Sequence, residues 1–227
     1  MRSYGQFCAL AKALDLIGDR WTLLIVRELL IRGEARYTDL RDGLPGIATN
    51  LLATRLKEME EGDILERFEA PPPVATPLFR LTARGKELER VIDAIGLWGV
   101  PLLEGASRKD AFCSHWMTLP LRKALRDNAP EQKPAVIEVR SGEEPVTIHA
   151  VGGTVRVSVG AAENPDAVVT GSAKAIYALF RGEVDLAQAR KAGVKVTGNA
   201  EVLRRVQPVA AAEKISSRNS SEHRSPS

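Results

Sequence analysis

The chain has 227 residues, room for two compact domains of roughly 100–200 residues each, and 44% of it is hydrophobic, which excludes wholesale disorder. No apolar run nears the ~20 residues of a membrane-spanning helix, and the first residues lead into an amphipathic pattern without a secretory core, so a cytoplasmic protein is expected. Cys8 and Cys113 lack paired spacing, which suggests neither a disulfide framework nor a zinc site. The net charge of +3 hints only weakly at nucleic acid: residues 1–105 hold 14 Lys/Arg against 16 Asp/Glu, and residues 106–207 hold 15 against 11.

From 9 to 30 apolar residues recur at helical spacing (Leu10, Leu14, Ile17, Trp21, Leu24, Ile25, Leu29), interrupted by Gly18, which predicts one kinked helix or two. Gly33 ends the run. A short helix fits 38–42, capped by Thr38 and closed by Gly43. Leu44-Pro45-Gly46 is turn chemistry, and a further helix covers about 49–61, with Leu52, Leu56 and Met59 on one face and Gly62 as its stop. Ile64, Glu66 and Phe68, then Leu78, Arg80 and Thr82, lie in runs of strand formers around Pro71-Pro72-Pro73, a β-hairpin. Thr82 then caps a long helix to about 103, striped by Leu88, Val91, Ile92, Ile95, Trp98 and Leu102. Helix, helix, tight turn, helix, hairpin, helix is the order of a winged helix-turn-helix, here over 1–105.

Residues 106–115 read as a connection. Beyond it come a helix at about 119–127, strands at 135–140, 146–150, 154–159 and 167–170, helices at 173–180 and 186–191, a strand at 194–196 and a last helix from about 199. Gly152-Gly153 suits a tight hairpin turn. The fold class is therefore α+β: a winged helix-turn-helix followed over 116–207 by a smaller α+β domain with an antiparallel sheet. Residues 208–227, rich in Ala, Ser and charge, are expected to be a disordered tail.

A helix-turn-helix reads DNA by seating the N-terminal part of its second helix in the major groove. That helix opens with Thr49 and Asn50, followed a turn later by Ala53 and Thr54, all opposite its core face. Arg55 and Lys57 beside them suit phosphates, although Arg55 also has Glu58, Glu61 and Glu28 as candidate ion-pair partners. Arg36, Tyr37 and Thr38 open the preceding helix, and Arg67 and Arg80 put positive charge on the hairpin. Double-stranded DNA is the expected partner. The apolar stripe at 88–98 and the face of Phe7, Leu10 and Leu14 exceed what one domain buries, which predicts a two-fold homodimer.

Cys8 with Ala13-Leu14-Asp15-Leu16-Ile17-Gly18-Asp19-Arg20-Trp21-Thr22, then Arg36-Tyr37-Thr38-Asp39-Leu40, Gly46-Ile47, Arg55-Leu56-Lys57-Glu58-Met59 and Leu81-Thr82-Ala83-Arg84-Gly85, resembles the HxlR family over residues 7–104. The resemblance implies a dimeric regulator whose first and last helices form the dimer interface and whose helix over 49–61 reads DNA. Ala48 stands where that family usually has Ser, so the cap of this helix either shifts to Thr49 or is lost, a difference of ~1 kcal/mol. Cys8 falls where some members carry a redox thiol. No Lys or His adjoins it, and a buried small hydrophobe is the preferred reading.

Val155-Arg156-Val157, Pro165-Asp166-Ala167-Val168-Val169-Thr170-Gly171, Ala178-Leu179-Phe180-Arg181-Gly182 and Val194-Lys195-Val196-Thr197-Gly198-Asn199 resemble the sterol-carrier-protein type. That implies a sheet curved against helices around an apolar tunnel for a lipid or other hydrophobic molecule, and a fully packed core is the competing expectation. Trp116, Ile148, Val157, Ile176 and Phe180 are the candidate lining residues. His115 and His149 have no nucleophile or carboxylate motif beside them, so neither enzyme chemistry nor a cofactor is expected. A regulator answering to an apolar ligand, a soluble carrier dimerised by its N-terminal module, and a Cys8 redox switch are the readings in competition.

Overall fold

The computed structural model describes residues 3–70, 76–105, 107 and 109–208; the triproline loop and the expected tail from 209 onward lie outside them. The chain divides into two compact units, Met1–Ala111 and Phe112–Ser227.

In the first unit the periodic stretch at 9–30 forms two helices, α1 (Ala9–Ile17) and α2 (Thr22–Arg32). Gly18 closes α1, its N–H donating to Leu14 O at 2.9 Å, and Trp21 caps α2 in the left-handed region at φ 81°. There follow β1 (Glu34–Arg36), α3 (Tyr37–Asp42), α4 (Thr49–Glu61), β2 (Leu65–Glu69), β3 (Pro77–Leu81), α5 (Ala83–Glu87) and α6 (Glu89–Gly99). Ile25, Val26, Leu29, Leu40, Leu52, Leu56 and Met59 join Ile64, Leu65, Phe79 and Leu81 in one core. The helical stripe of α4 is thereby buried against the foot of the hairpin.

Three expectations for this unit need correction, and one alternative left open, at the start of α4, is decided. The wing has a third strand, in the order β1-β3-β2, because Ala35 pairs with Phe79. A three-residue strand with one inward side chain is too short to show alternation. The cap of α3 is Arg36 and not Thr38: the Asp39 carboxylate accepts the Arg36 N–H at 2.8 Å, and Thr38 is left exposed. Ala48 caps α4 with no side-chain oxygen, so that cap is lost and does not shift. The long helix expected after Thr82 is divided. Thr82 does accept the Gly85 N–H at 3.0 Å, but Leu88 N–H turns back to Gly85 O and ends α5 in a tightened turn. Pro101, which lacks an N–H, lies where α6 passes into the 3₁₀ turn Val100–Gly105.

The second unit opens with a 3₁₀ turn (Ser114–Met117) and continues through α7 (Thr118–Ala124), β4 (Leu125–Asp127), β5 (Ala135–Arg140), β6 (Val146–Val151), β7 (Thr154–Val159), β8 (Ala167–Thr170), α8 (Ala173–Phe180), α9 (Leu186–Lys191), β9 (Lys195–Gly198), α10 (Val202–Arg205) and β10 (Val206–Pro208). Gly152 and Gly153, at φ 55° and 83°, make the two-residue turn between β6 and β7. The main sheet has the order β7-β6-β5-β8-β9 and is mixed, because β5 and β8 run parallel. This corrects the antiparallel expectation at one pairing. Asp166 fixes it from both sides, donating its N–H to Val136 O at 2.8 Å and accepting the Val136 N–H at 2.7 Å.

The helix expected over 119–127 stops at Ala124, since Leu125–Asp127 pairs with β10. Buried Asp127 takes Arg205 in a two-pronged ion pair at 2.6 and 2.8 Å and accepts the N–H groups of Ala129 and Gly153. One clasp thus fastens the last helix, the β6–β7 turn and β4.

Candidate nucleic-acid interface

With Leu52, Leu56 and Met59 turned inward, α4 leaves Thr49, Asn50, Ala53, Thr54 and Lys57 exposed along its other side. Tyr37 steadies the start of this helix by donating its hydroxyl to Thr49 O at 2.7 Å, and Thr54 donates to Asn50 O at 2.9 Å. The Asn50 side-chain Oδ1 accepts the Leu51 N–H at 2.9 Å, and the residue is exposed. Lys57 lies 3.8 Å from Glu61, an exposed pair of little energetic weight.

The arginines fall into two groups. Arg36 and Arg67, with Tyr37, Thr38, Thr76, Pro77 and Phe79, line a shallow depression of about 240 Å3, and neither has an ion-pair partner among the described residues. The other two are already engaged. Arg80 donates to Glu66 at 2.6 Å, lies 3.6 Å from Glu34 and stacks on Phe68; its two acids hold its guanidinium even more firmly protonated. Arg55 reaches both Glu58 and Asp19. Of its expected partners only Glu58 is correct. Glu28 is buried with Arg27 and Arg32, and a Cβ on Gly43 would run into its carboxylate. Asp19 could not be found from sequence, because 36 residues separate it from Arg55.

Beside this face the first unit leaves many apolar side chains in water. Leu97 and Trp98 are 76% and 75% exposed, and Leu10, Leu14, Leu24, Val91 and Ile95 are also exposed. Several of these line a groove of about 590 Å3 between α1, α2 and α6. Cys8 precedes α1 and is exposed, which overturns the expectation of a buried thiol: α1 buries only Ala11 and leaves its start uncovered.

In the second unit the candidate lining residues do not all come together. Ile148, Val157, Ile176 and Phe180 share one buried core, whereas Trp116 stands apart, edge-on to Phe112 and His115. His115 is buried 3.3 Å from the Glu144 carboxylate, and His149 lies on β6 opposite Arg156. Among the described residues no group of three metal-ligating side chains forms, and no helix is long and apolar enough to cross a membrane.

The model of the HxlR-like helix-turn-helix family matches residues 16–106, and that of the SCP-2 sterol transfer family matches residues 122–211. The uncharacterized HTH-type transcriptional regulator sll1512 of Synechocystis is 37% identical over 106 residues, which span 45% of this chain and 76% of that protein. The HTH-type transcriptional regulator YodB of Bacillus subtilis is 34% identical over 86 residues, 38% of this chain and 76% of YodB. The structure of reduced YodB superposes on 45% of this chain and 100% of its own, with 30% identity and a TM-score of 0.39. With these relatives covered over three quarters of their length, the chain belongs to the HxlR-like helix-turn-helix family, and its second part carries a domain of the SCP-2 sterol transfer type.

Proposed function

We propose that this chain is a cytoplasmic transcriptional regulator that binds double-stranded DNA as a homodimer, with α4 in the major groove. One observation carries the reading: Asn50 and Thr54 are exposed hydrogen-bonding side chains on α4 opposite its buried face, and Thr49 is exposed at the start of the helix. Arg36, Arg67 and Lys57 flank them and suit phosphates. The exposed apolar side chains of α1 and α6 support the dimer, since a contiguous patch of this kind on a soluble chain marks an interaction site. The test is binding, at stated salt, to duplexes from around the protein's own coding region. Asn50→Ala should weaken binding by about 1–3 kcal/mol and relax sequence preference. Unchanged affinity in a folded variant removes α4 as the reader, and a chain that binds no DNA while binding lipid is a carrier.

The SCP-2-type domain is read as the seat of an apolar effector. Its family supports that reading, while Ile148, Ile176 and Phe180 are buried together in one core. A fluorescent fatty acid titrated into the full chain decides between a tunnel and a packed core. Exposure of Cys8 favours a second form of control, by oxidation. A mild thiol oxidant should then release DNA from the wild type and not from Cys8→Ser; equal behaviour of the two excludes it.

A further inference from the structure

The end of α1 and the turn after it meet the reading helix at its middle and come close to the residues at its two ends. Leu16 lies 3.4 Å from where a Cβ would stand on Gly62, the residue that closes α4. Asp19 reaches Arg55 in the middle of α4. The Trp21 ring lies 4.0 Å from where a Cβ would stand on Gly46, in the turn leading into α4. The same segment, Gly18 through Trp21, also lines the apolar groove together with Leu10, Leu14, Val91 and Ile95.

Two further features separate this turn from an ordinary connection. Trp21 holds φ 81°, a conformation that costs a bulky residue about 1–3 kcal/mol and persists only where its surroundings enforce it. Arg55 is mostly buried, its Nε has no hydrogen-bond partner, and its Nη1 is shared between Asp19 and Glu58. Arg36 and Arg67, by contrast, have no ion-pair partner among the described residues. Releasing Arg55 to DNA would strand two carboxylates beside the phosphate backbone.

We propose that the turn Gly18–Trp21 is a relay that mounts the reading helix on the dimer face, and that Arg55 is a positioning residue in it and not a phosphate ligand. The relay rests on the DNA-binding reading above. A second copy of this chain seated on the groove bears on the turn, and the turn sets where α4 stands. The groove is walled by the same α1 and α6 residues that the proposed homodimer buries, so its occupant under that reading is a second copy.

The test uses the full chain, a duplex that the wild type selects from a random pool, and a scrambled duplex. Asp19 is largely exposed, so Asp19→Asn keeps the fold. Asp19→Asn and Arg55→Ala should each weaken binding to the selected duplex by about tenfold, and the double variant should be no weaker than the weaker single. Affinity for the scrambled duplex and the slope of log K against log salt should stay at wild-type values. A slope shallower by about one in Arg55→Ala makes Arg55 a phosphate contact and overturns the relay. Tighter binding by Asp19→Asn does the same, and it decides alone if Arg55→Ala fails to fold. Failure of the wild type to select any duplex sinks the DNA-binding reading and the relay with it.

Discussion

The two units treat their apolar residues in opposite ways. In the second, Ile137, Ile148, Val169 and Ile176 are fully buried, and the sheet and helices close on one another. In the first, the core under α2, α3 and α4 closes equally well, yet α6 buries no residue at all and α1 buries only Ala11. Hydrophobic burial is worth roughly 25 cal/mol per Å2; Leu16, Ile17 and Ile92 take part of it against the core, and the outer faces of α1 and α6 do not. The second unit closes on its own core, and the first leaves an apolar face that the proposed dimer would cover. Apolar periodicity alone announces that a helix has a greasy face, and only the packing shows whether this chain covers it.

The comparison breaks most visibly at the exposed apolar face of α1 and α6. Trp98→Glu combined with Ile95→Asp should leave a folded monomer at micromolar concentration by sedimentation and lower DNA affinity by about 100-fold or more, because two linked half-sites become one. In the second unit a core deletion acts on stability instead: Phe180→Ala should cost about 3–5 kcal/mol in denaturant unfolding and leave the dimer intact. A smaller effect comes from acid. The Arg205 hydrogen bonds, helped by the N–H groups of Ala129 and Gly153, outweigh the effect of burial and bring the Asp127 carboxyl down to about 2 from 3.8. Its contribution of about 2 kcal/mol is complete above about pH 5 and is lost as the pH falls toward 2, since the unfolded chain takes up the proton first. Unfolding of the second unit followed between pH 5 and pH 2 measures it, and Asp127→Asn should flatten the profile. Smallest is Thr82→Ala, which removes the cap of α5 at about 1 kcal/mol in thermal melts.

Much of this was legible in the sequence. The apolar periods of α2, α4, β5, β7 and α8 and the Gly152-Gly153 turn are local signals, and each element stands where its pattern places it. Features set by distant pairing were not legible. β1 exists because β3 offers it an edge, Leu125–Asp127 is a strand because β10 lies beside it, and the β5–β8 pairing depends on Asp166. The interface was half legible: the outward row of α4 follows from helical spacing, whereas the engagement of Arg55 and Arg80 depends on acids from other elements. Cys8 was misread because free cysteines are usually buried, and here the helix face around it is uncovered.

Two faces, one apolar and one hydrogen-bonding, are held to act together in this chain, and stoichiometry on DNA tests that most directly. Sedimentation of the full chain with a selected duplex should give two chains per duplex, protecting two half-sites about one helical turn apart. One chain per duplex at full affinity, or Trp98→Glu with Ile95→Asp binding as tightly as the wild type, would contradict it.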